Sequence, residues 1–414
     1  MTAARASTIK ASRRHRLFYR MPHYADPYIH WSLIILAFYG LLMITSASMG
    51  LAIGQPGYLA FVIAKQEVFL IAGYFSMTYL ANRFSLNFLK SQDFPKLAVG
   101  MVFALLACLA FPEVNGAKAW IRVPVSSLDI SIQPSEFTKT LVPLVIAAYC
   151  GDVSRHYEKG RDLWGRPFLF VMLFAFIIFI LQSDFGSMAV VLSIAIVCFL
   201  IPQNPAMRKF QRVLGVLTLV GIAGIIYLLT PAGIQLVEML PIADYQKNRI
   251  LAPYIPDVVD PTGQGITWQM NLCKDALASG RWTGVGFGEG SFSQSSYNAR
   301  HTDCIFASIG EELGMVAGII IIVLLSIIII RCCIIGVRSG SPFGMLICFG
   351  VATALAFQTF INIGMCIGIT PVIGITLPFF SYGGSSIVAM YAAVGLVSGV
   401  KYRPKPRQNF LQYQ

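Results

Sequence analysis

The sequence predicts an all-α polytopic membrane protein of about ten transmembrane helices, with both termini cytoplasmic and a long fourth extracytoplasmic loop. Three observations carry that fold class. Hydrophobic residues make up 56% of the 414 residues and charged residues 12%, too apolar for a soluble domain that needs a polar surface. Apolar runs near bilayer thickness recur at 31–49, 59–81, 97–111, 135–151, 167–181, 186–202, 210–229, 303–330, 343–366 and 384–400. Lys and Arg between them concentrate in alternate connections.

Backbone amides in hydrocarbon must be satisfied within their own segment, so each run is expected to be a helix. Residues 1–30 form a basic tail (Arg5, Lys10, Arg13, Arg14, Arg16, Arg20). The run after it is nearer a full span than the core of a cleaved signal, which predicts a retained first helix. On the same side fall Arg83, Lys90 and Lys96; Arg155, Lys159, Arg161 and Arg166; Arg208, Lys209 and Arg212; Arg331 and Arg338; and Lys401, Arg403, Lys405 and Arg407 of the tail 401–414. These are most of the 31 basic residues, and the positive-inside rule puts them in the cytoplasm.

The polar stretch 230–302 is then extracytoplasmic. It far exceeds the ~12–15 residues of ordinary structureless loops, and its aromatics and glycines favour a functional loop. The net charge of +12 follows this topology rather than a nucleic-acid surface, and anionic membrane lipids are the expected counter-charge. With no transporter-like repeat and no interdomain linker, 1–414 reads as a single membrane domain. Of nine cysteines, Cys108, Cys150, Cys198, Cys332, Cys333, Cys348 and Cys366 lie in or beside apolar runs, as small hydrophobes do. No zinc-ligand spacing occurs, and the sequence leaves open whether Cys273 and Cys304 meet.

Ionisable groups in or near a span cost about 2.5–3.5 kcal/mol each on insertion scales. Glu136 and Lys139 in "QPSEFTK" stand three apart on one helix face. They read as a structural ion pair, or as part of an anion site with the helix start at Pro134 and Ser135. In "QSDFGS", Asp184 either caps the next helix or joins the chemistry directly. Glu311 and Glu312 of "GEELG" lie about two turns into an apolar helix and point in different directions, so neither need touch substrate.

Basic residues outside stand in the second connection (Lys118, Arg122) and the fourth (Lys247, Arg249, Lys274, Arg281, Arg300), as anion-binding groups or as solvated loop charges. The fourth also holds Glu238, Asp244, Asp257, Asp260, Asp275, Glu289, His301 and Asp303. Each of these acids has the right type for a general base, and spacing does not choose among them. His301 with Asp303 is too sparse for a metal site. The fifth connection, "GITPVIGITLPFFSYGGSS", is apolar and rich in Gly and Pro, either a re-entrant segment lining a groove or a plain turn.

Taken together and in order, "NGAKAWI", "QPSEFTK", "QSDFG", "DPTGQG", "RHTDCIFASIGEELG", "NIGM" and "PVIGITLPFFSYGGSS" resemble the SEDS family (shape, elongation, division and sporulation) across residues 25–400. "YQKNRIL", "NIGM" and "LPFFSYGGSS" look closer to its elongation branch, RodA, than to its division branch, FtsW. The resemblance implies a glycosyltransferase of the bacterial cytoplasmic membrane. It would polymerise lipid II, a disaccharide-peptide on undecaprenyl diphosphate, at the outer face for elongation and shape. It implies Asp260 of "DPTGQG" as the catalytic base, which takes the acceptor hydroxyl proton while the lipid diphosphate leaves with inversion. Gly263 and Gly265 would let the backbone approach the sugar.

Lys118, Trp120, Gln133, Ser135, Glu136, Lys139, Asp184, Arg249, His301, Asp303, Ser381 and Tyr382 are then expected at the substrate, with Lys274 and Arg281 as substitute cations. Glu311 and Glu312 are expected in supporting or partner contacts. A divalent cation, Mg or Mn, is expected at the diphosphate on the chemistry of phosphate rather than on ligand spacing. The implied partner is a class B penicillin-binding protein at the eighth and ninth spans. The chain departs from the family at Ala119, where Arg is usual, in the long 120–133 interval, after Gly265, where "ITWQMNLCKDALASGRWTGVG" replaces a Gln-Ser stretch, and at "NARHTD", which lacks a Leu-Pro-Glu lead-in. Two other function classes fit many spans with buried charges: a flippase or transporter of lipid-linked precursor, and a non-catalytic scaffold for a transpeptidase. Asp260 beside a glycine-rich outer loop discriminates, because catalysis needs a base and transport does not.

Overall fold

The structure, a computed structural model, describes residues 25–52, 57–84, 86–89, 94–114, 116–125, 128–151, 159–228, 230–239, 247–248, 251–265, 267–294 and 301–401. Arg249, Arg300, the tail through residue 24 and the tail from 402 lie outside the described residues. In chain order the first helices are α1 (Pro27–Met49), α2 (Tyr58–Arg83), α3 (Phe94–Ala107), α4 (Pro134–Cys150), α5 (Gly160–Phe176, prolonged by a π-turn over Ile177–Leu181), α6 (Phe185–Leu200) and α7 (Arg208–Leu228). The outer stretch contributes α8 (Pro231–Met239) and α9 (Trp268–Gly280). After them come α10 (Ile305–Glu312), α11 (Gly314–Arg338), α12 (Pro342–Cys366) and α13 (Gly384–Lys401).

Among the described residues, α1, α2, α5, α7, α11 and α12 are long and apolar enough to cross a membrane, and α3, α6 and α13 are shorter apolar helices. With α4 they fall on the apolar runs predicted from sequence. Helix α4 is buried almost throughout, from Pro134 to Ala148, and packs against α6, α12 and α13. Helix α7 buries none of its apolar window. Small residues allow close helix approach in this core: Gly73 of α2 lies against Tyr391 of α13, and Gly395 of α13 against the Met77 backbone of α2. On the cytoplasmic side Asp26 caps α1, accepting from Tyr28 N, and its Oδ2 accepts from Arg331 Nε of α11 at 3.1 Å.

Three features differ from the sequence reading. The second outer connection contains an antiparallel hairpin, β1 (Ile121–Val125) and β2 (Leu128–Ile132), with Ile121 opposite Ile132. Among the described residues this is the one sheet, and the alternating β-branched residues of "IRVPV" and "LDISI" suit it. The fourth connection is partly folded. Helix α9 buries Met270, Cys273, Ala276 and Gly280, three or four apart, and packs on α10.

Finally, the expected run 303–330 is two helices. Gly314 turns the chain at φ +79°, and Met315 N and Val316 N bond to Arg281 O and Trp282 O at 2.9 and 3.3 Å. Glu311 and Glu312 thus end a short helix instead of interrupting a long one. The apolar residues on both sides hid the break.

Candidate active site at the outer face

Asp260 follows a single helical turn, Pro256–Val259, and the loop after it folds back onto its carboxylate. Oδ2 accepts from Gly265 N at 2.7 Å, Thr267 Oγ1 at 2.8 Å and Thr267 N at 3.1 Å, while Oδ1 accepts from Thr262 Oγ1 at 3.0 Å. Gly263 turns the loop at φ +64°. A Cβ at Gly265 would stand 3.1 Å from Asp260 Oδ2, so a glycine lets the backbone close on the carboxylate itself. These donors, the Thr267 hydroxyl foremost, bring Asp260 down to about 2 against a smaller desolvation effect. The group is ionised at neutral pH. Oδ1, with one donor, retains acceptor capacity for an incoming hydroxyl.

A second cluster gathers at the outer ends of α4 and α6. Asp184 caps α6 through Oδ1, which accepts from Ser187 N at 2.9 Å, and its Oδ2 accepts from Gln133 Nε2 at 2.9 Å. The capping reading and the link to its neighbours hold together. Ser135 Oγ lies 3.5 Å from Asp184 Oδ2 and 3.2 Å from Ser187 Oγ, and Gln133 N donates to Ser385 Oγ at 3.3 Å. One turn deeper, Lys139 Nζ donates to Glu136 Oε1 at 2.6 Å, with both residues buried. Glu136 Oε2 is buried without a hydrogen-bond partner among the described residues. The ion pair is present, and it leaves an acceptor unused.

The fifth connection is irregular yet buried at Ile375, Leu377, Phe379, Phe380 and Ser381, as a re-entrant segment would be. Leu377 N donates to Ser381 Oγ at 2.8 Å, and Tyr382 N donates to His301 O at 2.9 Å with the two rings 5.1 Å apart. Asn362 Nδ2 bridges Asp303 O at 2.8 Å and Ile375 O at 2.7 Å. Lys65 of α2 stands 5.5 Å from the Tyr382 ring centre. Asp303 is half-buried, and burial pushes it up to about 6.

The structure thus joins Gln133, Ser135 and Asp184 directly, with Glu136 and Lys139 beneath them. His301, Asp303, Ser381 and Tyr382 form another group. The 376–386 turn links the two, since Ser385 meets Gln133 and Tyr382 meets His301. Asp260 has its hydrogen bonds within residues 262–267, apart from the Glu136–Lys139 pair. Lys118 is exposed and held by its backbone N to Gln182 O at 2.9 Å; Trp120 is half-buried, and Arg281 is exposed at φ +48°. Lys274 lies against Gly368.

Glu311 accepts from Phe292 N at 3.0 Å and Ser291 Oγ at 2.9 Å, and Glu312 from Ser46 Oγ at 2.6 Å and Gly288 N at 3.1 Å. They fasten the glycine-rich 284–292 stretch to α10 and α1, which is a supporting role. Sequence reasoning assigned no role to Thr267, Asn362 or Lys65. Asn362 stood in the quoted "NIGM", and Lys65 is a cation within an apolar run, so both carried a signal. Among the described residues no three His, Cys, Asp or Glu converge to hold a metal ion.

A family model described as a cell cycle protein and named for FtsW, RodA and SpoVE matches residues 28–405. The chain belongs to this SEDS family. A probable peptidoglycan glycosyltransferase FtsW of Borreliella burgdorferi is 32% identical over 371 residues, 89% of this chain and 94% of that protein. Stage V sporulation protein E of Bacillus subtilis is 30% identical with the same coverage. A solved peptidoglycan synthase complex, described as coordinating polymerization and crosslinking, contains a chain 25% identical that superposes with a TM-score of 0.64 over 92% of this chain and 99% of that one. Thermus thermophilus RodA shares the fold at 22% identity, with a TM-score of 0.59 over 92% of this chain and 98% of its own.

Proposed function

We propose that this SEDS protein is an inverting peptidoglycan glycosyltransferase that polymerises lipid II at the outer face of the cytoplasmic membrane. The observation that carries the reading is the Asp260 loop, in which one carboxylate oxygen is filled by three donors and the other is left with acceptor capacity. Asp260 Oδ1 receives the proton of the acceptor sugar hydroxyl as that oxygen bonds to the anomeric carbon. The bond from that carbon to the lipid diphosphate breaks, and its electron pair leaves with the diphosphate. Lys139, the exposed Lys118 and the positive end of the α4 helix dipole are the groups of this chain that favour the departing charge.

The partner in this reading is a transpeptidase of the class B penicillin-binding type at α11 and α12. The complex above, which couples polymerization to crosslinking, supports it. The branch is proposed as elongation, on "YQKNRIL", "NIGM" and "LPFFSYGGSS". Depletion that rounds the cells supports that branch, and depletion that leaves filaments assigns the chain to division instead. The activity itself is tested with purified protein, its partner and lipid II, by glycan-chain analysis. Wild type is expected to make polymer and Asp260→Ala none. Passage of lipid II across vesicles by wild type without polymer would replace this reading with a flippase.

A further inference from the structure

Of the nine cysteines, Cys273 of α9 meets two from other elements, Cys304 just before α10 and Cys366 at the end of α12. All three are fully buried, and all are free thiols in this structure. The packing of α9 on α10 aligns them. Gln269 Nε2 lies 3.1 Å from Cys304 Sγ. Farther along, Leu277 packs on Gly310, and a Cβ at Gly280 would lie 1.8 Å from Gly310 O. Positions 269, 273, 277 and 280 share one face of α9, so Cys273, one turn beyond Gln269, is directed along the face that meets Cys304. The neighbouring face of α9 reaches the end of α12, where Met270 and Lys274 lie against Gly368, two residues past Cys366.

Contact with the Cys304 and Cys366 thiols pushes the Cys273 thiol well above its ordinary range, which makes it a poor nucleophile once α9 has docked. Oxidation therefore belongs to the stage before docking. The charge bias of the chain puts this face outside the cytoplasm, where disulfides form and persist.

We propose that Cys273 and Cys304 become joined by a disulfide that fixes α9 to α10, with Cys366 remaining a thiol. Before α9 docks, one thiolate attacks the disulfide of a protein exchange partner, giving a mixed disulfide, and the second thiolate then displaces the partner. The S–S bond forms as the two cysteines lose two protons and two electrons, and the partner leaves as a dithiol. Helix α9 begins directly after Thr267, which holds Asp260, so the bond tethers the element that carries the Asp260 loop. The proposal stands whether or not Asp260 is a catalytic base.

Cells producing the full chain are quenched in acid, and the protein is denatured, alkylated without reduction and digested. The expected result is a Cys273–Cys304 linked peptide pair and two fewer alkylated thiols than after reduction. That pair is lost in Cys273→Ser and kept in Cys348→Ser. Alkylation of both Cys273 and Cys304 in the unreduced wild type, or a Cys273–Cys366 link, would overturn the proposal. The wild-type result decides the matter even if a variant fails to accumulate.

Discussion

Asp260 and Asp303 lie in the same outer region and meet opposite physical conditions. Around Asp260, four hydrogen bonds from Thr267, Gly265 and Thr262 hold the carboxylate at about 2, and it stays half-exposed. Asp303 is anchored through its backbone carbonyl by Asn362, and desolvation raises its carboxyl to about 6. The first environment keeps a charge ready at every working pH. The second makes the charge conditional on pH, within the range where cells operate. Residue type alone puts both on the list of candidate bases, and only their surroundings separate them.

The largest effect is expected where the charge-ready carboxylate is removed. Asp260→Ala should lower polymerisation by on the order of 10²–10⁴-fold, the usual contribution of a positioned base, as read by glycan-chain assay. Next comes Lys139→Ala, which leaves the buried Glu136 side chain without its cation. Loss of one partner of a buried pair destabilises by about 3–5 kcal/mol, so a lower melting temperature of the purified protein is expected. Lys139→Met with Glu136→Gln should recover much of that stability and not the activity.

A smaller change is expected from Thr267→Val, which removes the foremost donor to Asp260 and raises its pKa from about 2 towards an ordinary carboxylate. Because the folded pKa is depressed, the stability it confers is present above the unfolded value near 3.8 and is lost as pH falls towards 2. In Thr267→Val that acid-dependent loss should shrink, measured by denaturation across acid pH. Asp303 has the reverse sign: its folded pKa is raised, so stability declines as pH rises from about 3.8 to about 6. Asp303→Asn should flatten that slope.

Much of the membrane architecture was present in hydropathy and charge, because spans must be apolar and basic residues stay inside. The resemblance carried by the motif order is what points to Asp260 as the proposed base. Helix α9 was hidden because Met270, Cys273, Ala276 and Gly280 form a narrow apolar stripe on a polar helix, which mean hydropathy averages away. The break at Gly314 was hidden for the opposite reason, since both sides are apolar. The hairpin's strands are five residues each, too short to stand out between two spans. Thr267 was not readable because its role depends on the loop closing over Gly265, a tertiary event rather than a spacing.

The most direct test compares Asp260→Asn and Asp303→Asn in lipid II polymerisation across pH 5 to 8. Both substitutions keep side-chain volume and remove one charge. The expected result is that Asp260→Asn loses polymerisation at every pH, whereas Asp303→Asn polymerises and lacks any wild-type rise in rate through pH about 6. Normal polymerisation by Asp260→Asn together with its loss in Asp303→Asn would contradict the assignment of Asp260 as the base.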